Sequence, residues 1–115
     1  MALLECELDQ STDMTPYTKF LNGSVTIRKN LAKDGTTESY TVPHNGYYGV
    51  SALNTTTSGS CTVYMMSSPS TYIATNSAGT GTYLRATVPC IPFKQGATIY
   101  ARAWATSEAY IYELT

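Results

Sequence analysis

The sequence predicts an all-β protein, an antiparallel β-sandwich or closed barrel of about eight short strands in a single domain. Three observations carry that expectation. Short runs that alternate apolar with polar residues recur along the chain. Turn residues separate them at intervals of roughly eight to twelve positions. Helical spacing of apolar residues is almost absent, and a chain of 115 residues has room for one core only.

The chain opens with "MALLECELDQ", where Glu5, Glu7 and Asp9 interrupt the apolar run and no basic residue precedes it. It does not read as a secretory signal, so the protein is expected to be made in a cytoplasm. Pro16 and several Thr and Ser follow, so residues 1–23 are assigned to an irregular N-terminal segment or docking arm, and residues 24–115 to the β domain. "SVTIRKNL" (24–31) alternates Val25 and Ile27 with Thr26 and Arg28. Lys33-Asp34-Gly35 reads as a hairpin turn into "ESYTVP" (38–43), since Asp-Gly is a strong hairpin signal. "GYYGVSAL" (46–53) puts Tyr48, Val50 and Ala52 on one face and Tyr47, Gly49, Ser51 and Leu53 on the other. "SCTVYMMS" (60–67) sets Cys61, Val63 and Met65 opposite Thr62, Tyr64 and Met66. "TYIATN" (71–76) and "TYLRATVPC" (82–90) flank a soft loop, Ser77 to Gly81, and "ATIYARAW" (97–104) and "EAYIYEL" (108–114) close the chain. The strands are not copies of one another, which argues against a propeller or solenoid. Proline has no N–H for a sheet ladder, so Pro43, Pro89 and Pro92 are expected to end strands. Gly46 and Gly96 are expected to supply the positive φ of the corners that follow.

Composition narrows the function. Charged residues make up 13% of the chain, against about 25% in an ordinary soluble domain, and ten tyrosines stand against two phenylalanines. Tyrosine suits half-buried strands and contact surfaces, because its ring is apolar and its hydroxyl stays wet. A net charge of −1 with scattered basic residues gives no footprint for nucleic acid. No apolar run approaches the ~18 residues of a membrane span, so no membrane insertion is expected.

Cys6, Cys61 and Cys90 are odd in number and widely spaced, and read as buried thiols; a Cys61–Cys90 bridge would require neighbouring strands. The close C-x-x-C pairing of a zinc site and the glycine patterns of nucleotide sites are absent, so neither metal nor cofactor is expected. His44, the only histidine, reads as an exposed turn residue, and no carboxylates fall into an acid–base pair. Nothing points to an enzyme. What remains is surface: Tyr100, Arg102 and Trp104 share one face of a strand opposite Ile99, Ala101 and Ala103, with the composition of a protein hot spot or a sugar platform. Trp104 could equally be core. Tyr110 and Tyr112 are candidates to continue the same layer, and loops 54–60 and 76–82, with Tyr83 just after the second, offer Asn54, Thr56, Asn76 and Tyr83 as outer contacts.

"YTVPHNGYYGVSA" and, further on, "VPCIPFKQGATIYARA" together resemble the C1q/TNF-like jelly roll found in small bacteriophage virion proteins and head- or tail-fibre tips. The matching positions are Val42, Pro43, Asn45, Gly46, Tyr47, Tyr48, Val50 and Ser51, then Lys94, Gly96, Ile99 and Tyr100. The likeness spans roughly residues 38–114; Ala97 departs from it, standing where the family usually has Asp. The resemblance implies a jelly roll assembling as a homotrimer on a virion, with a recognition or structural role and no catalysis. The five residues Tyr100, Arg102, Trp104, Tyr110 and Tyr112 would then form the subunit interface or ligand contact. Partners would be a host surface glycan or protein and, through residues 1–23, other virion proteins. A purely structural virion protein and a small bacterial lectin are the alternatives.

Overall fold

A computed structural model describes residues 24–115; the irregular segment or docking arm expected over 1–23, with Cys6, lies outside the described residues. Eight strands follow in order: β1 (Val25–Asn30), β2 (Glu38–Thr41), β3 (Gly46–Asn54), β4 (Gly59–Ser68), β5 (Thr71–Gly81), β6 (Leu84–Phe93), β7 (Thr98–Trp104) and β8 (Glu108–Leu114). They form two four-stranded antiparallel sheets, β1-β8-β3-β6 and β2-β7-β4-β5. Successive strands mostly alternate between sheets, and the last two are slotted into the middle of the sheets begun by the first two. That is the strand order of a jelly roll.

The core lies between the sheets. Tyr48, Val50, Ala52, Ala86, Val88, Ala109 and Ile111 from the first sheet meet Cys61, Val63, Met65, Ile99, Ala101 and Ala103 from the second. Alanines at five of these positions let the sheets approach closely, while Tyr48, Met65 and the β-branched residues fill the remaining space. The alternation read along β3, β4 and β7 is the one observed. Met66 is the exception: on the strand face away from Met65, opposite Tyr72 and Tyr100, it is nonetheless fully covered.

Four local expectations are corrected. Asp34-Gly35 is not a β1–β2 hairpin, because those strands belong to different sheets; the turn carries the chain across the sandwich and Asp34 bridges to Trp104. Residues 77–81 are not a loop but the second half of β5, paired with β4 through a register shift at Cys61/Thr62. Gly79, at φ 90°, absorbs the extra residue there. Pro89 and Pro92 do not end a strand. Both lie within β6, an edge strand that needs donors on one side only, and Pro89 falls where the register with β3 shifts. Gly46 has no positive φ; it is glycine because a Cβ there would stand 2.5 Å from Oε2 of Glu113.

The two similarly punctuated phrases turn out to be neighbours. Val42 N–H donates to Ala97 O and Gly96 N–H to Val42 O, both at 2.8 Å, and Gln95 N–H donates to Asn45 Oδ1 at 2.8 Å. Gly96, at φ 88°, makes the return that a side chain would strain. The corners brace each other at one end of the sandwich.

Candidate functional site

The five residues expected to share one contact surface are divided by the fold. β7 lies in one sheet and β8 in the other, so Tyr100, Arg102 and Trp104 lie on one outer face of the sandwich and Tyr110 and Tyr112 on the opposite one.

On the β2-β7-β4-β5 face, Trp104 is surface and not core: it is 44% exposed, and its indole lies on the backbone of Gly35, where a Cβ would collide with the ring. Cross-strand pairing sets Arg102 opposite Tyr64, and Tyr100 opposite Met66, which in turn faces Tyr72. The Arg102 guanidinium carbon sits 4.5 Å from the centroid of the Tyr64 ring and 5.7 Å from that of Tyr72, and Nη2 donates to Tyr72 Oη at 2.7 Å. The two rings are tilted, with centroids 5.7 Å apart. Nε of Arg102 is buried without a hydrogen-bond partner. Tyr64 was legible as the outward residue between Val63 and Met65. Tyr72 carried no signal, because its strand pairing is what brings it to Arg102.

On the β1-β8-β3-β6 face, the Tyr112 ring lies across Gly49 and its hydroxyl donates to Val88 O at 2.9 Å, so one side chain spans β8, β3 and β6. Burial pushes its phenol pKa up to about 12, with the neighbouring Cys90 and Tyr110 adding to the rise. Beside it runs a groove of about 230 Å³ lined by Val25, Ser51, Arg85, Thr87, Tyr110 and Tyr112. Arg85 Nη1 donates to Ser51 Oγ at 2.7 Å and to Tyr110 Oη at 3.1 Å. Val25 and Ile27 point outward from edge strand β1 and are 56% and 50% exposed, so the alternation of β1 runs apolar-out.

Of the outer-loop candidates, Asn54 faces inward. It is fully buried, its Nδ2 donating to Gly59 O and Gly81 O while Oδ1 accepts from Thr106 N–H, so it ties three loops together. Thr56 and Asn76 are exposed, Asn76 on β5 with its amide donating to Thr87 O at 3.0 Å. Tyr83 is the most exposed large hydrophobic side chain described, at a turn with φ 54°, a left-handed conformation that costs a tyrosine strain.

His44 is exposed, but it is not idle. Its Nε2 lies 2.9 Å from both carboxylate oxygens of Glu113, which is 2% exposed and also accepts from Nε and Nη2 of Arg28 at 2.9 Å. Tyr48 next to this knot donates to His44 O at 3.0 Å. Loss of water, and then the charge of Glu113, push the Tyr48 pKa up to about 12. The knot closes the end of the core: Arg28 donates to Oε1 of the buried carboxylate, and His44 Nε2 stands within hydrogen-bond distance of both oxygens, the kind of partnering that burial of a charge requires. Cys61 is a buried thiol near Ala52 O and Leu84 O; it forms no bridge with Cys90, which lies in the other sheet.

Fold and surfaces together define an eight-stranded jelly roll with two aromatic, arginine-bearing outer faces. No protein-family model matches the chain, and no curated protein matches it either.

Proposed function

We propose that the chain is a non-catalytic recognition module that assembles as a homotrimer through one outer face and presents the other to a host surface component, glycan foremost. The observation that carries the reading is the division of the aromatic residues between opposite faces: a module with one face for its own copies and one for a ligand needs two such surfaces. The β1-β8-β3-β6 face is assigned to assembly. Val25 and Ile27 are exposed there beside a mostly apolar groove, a surface that favours association. The β2-β7-β4-β5 face, with Trp104, Arg102, Tyr64 and Tyr72, is assigned to the ligand. The resemblance to C1q/TNF-like modules favours a phage particle as its setting, at a fibre tip or on the head.

Light scattering on a sizing column tests the assembly. The expected result is a trimer for the native chain and a folded monomer for Val25→Asp/Ile27→Asp, whose exposed positions tolerate charge without harm to the core. A monomeric native chain, or a double variant that stays trimeric, would overturn the assignment of that face.

A further inference from the structure

We propose that the ligand of the β2-β7-β4-β5 face carries a carboxylate: it is an acidic glycan, and Arg102 is the residue that receives its charge. The inference rests on the ligand-facing reading of this face and adds the chemical class.

Arg102 is a half-buried cation against two aromatic rings, and among the described residues no carboxylate neutralises it. Among the described residues the ion pairs are Arg28–Glu113, Lys29–Glu38 and His44–Glu113, and Arg102 belongs to none of them. Stacking on Tyr64 and Tyr72 stabilises the guanidinium plane without supplying a counter-charge. The hydrogen bonding is incomplete in a specific way. Nε–H and one Nη2–H lie along the same edge of a guanidinium, and that edge is the fork that takes a carboxylate in two parallel bonds. Here Nη2 is held by the Tyr72 hydroxyl and Nε by nothing. One phenol thus occupies half of a two-pronged site, and the other half is buried without a partner. Tyr72 belongs to edge strand β5 and is 54% exposed, so its side chain has room to swing outward and release Nη2 beside the unpartnered Nε. An incoming carboxylate would satisfy the two together.

The surroundings favour a sugar over an acidic peptide. Trp104, Arg102 and Tyr100 follow one another at every second residue of β7, so Trp104 and Tyr100 stand about 13 Å apart at roughly 3.3 Å per residue. The exposed indole at one end and the Tyr64–Tyr72 pair beside Arg102 form a broad aromatic platform with one cation set into it. That suits a short oligosaccharide lying flat, one of its rings bearing the acid. The face has no second described Arg or Lys beside Arg102 on β4, β5 or β7, as a polyanionic peptide would require.

The test is titration calorimetry of the full chain with a glucuronate-containing oligosaccharide, a sialylated one, and a neutral oligosaccharide of matched length. Binding of an acidic sugar should exceed that of the neutral one. Arg102→Lys should weaken acidic binding at least about tenfold, because an ammonium keeps the charge but lacks the fork. Tyr72→Phe, which keeps the ring and removes only the competing hydroxyl, should tighten acidic binding. Equal affinity for acidic and neutral sugars, or an unchanged acid-to-neutral ratio in Arg102→Lys, would overturn the inference while leaving glycan recognition standing. Failure of every sugar to bind, with an acidic peptide binding instead, would overturn both the inference and the glycan reading.

Discussion

Tyr48 and Tyr112 are phenols held away from water, one in the core beside Glu113 and one flat across Gly49, and both are pushed up to about 12. An unfolded tyrosine ionises near 10, so above that pH the unfolded chain sheds protons that the folded chain retains. The stability these groups contribute is therefore complete below pH 10 and is lost progressively as the pH rises toward 12. Tyr48→Phe should cost about 1 kcal/mol at neutral pH through loss of the bond to His44 O, and should flatten the alkaline decline. Urea unfolding at pH 7, 10 and 11 reads both effects; a decline as steep as that of the native chain would show that Tyr48 is not its source. At this scale the sequence was partly legible. The outward row Tyr100, Arg102 and Trp104 follows from simple alternation along one strand. The burial of Glu113 does not, because its partners Arg28 and His44 are 85 and 69 residues away in the chain.

The strands themselves were legible, since apolar alternation and turn chemistry are local properties, and every run read as a strand is one. Their partners were not. Period-two patterning says which residues share a face of one strand and is silent on which strand lies beside it. That is why Tyr110 and Tyr112 could be imagined in one layer with Trp104, and why Asp34-Gly35 looked like a hairpin. The prolines of β6 and the glycines of β5 misled for a related reason: both strands are edges, where a missing donor or a bulge is tolerated, and edge status is a property of the sheet. The side chain spanning the first sheet offers a test of element packing. Gly49→Ala would place a Cβ about 2.5 Å from the Tyr112 ring and hydroxyl, lifting the ring from the sheet and breaking its bond to Val88 O. A loss of roughly 1–3 kcal/mol is expected in chemical unfolding. An unchanged midpoint would mean that the ring is not held against the strand.

Over the whole molecule, the sheet order makes the first strands dependent on the last. Among the described residues β1 pairs only with β8, and β2 only with β7. A chain ending at residue 96 would keep the β3–β6 and β4–β5 pairs but leave β1 and β2 without partners. Such a chain should show no cooperative transition in calorimetry; a sharp one would mean that the central pairs fold alone. The same order has a meaning in time. On the ribosome, the earliest strands of this domain must wait, unpaired, while nearly all the rest is synthesised, and neither sheet can be completed before β7 and β8 emerge. A chain interrupted before β7 and β8 would therefore present additional unpaired strand edges to the cell's proteases, whereas the completed domain leaves only the outer edges of its two sheets. Synthesis of the last two strands and completion of this fold become a single event.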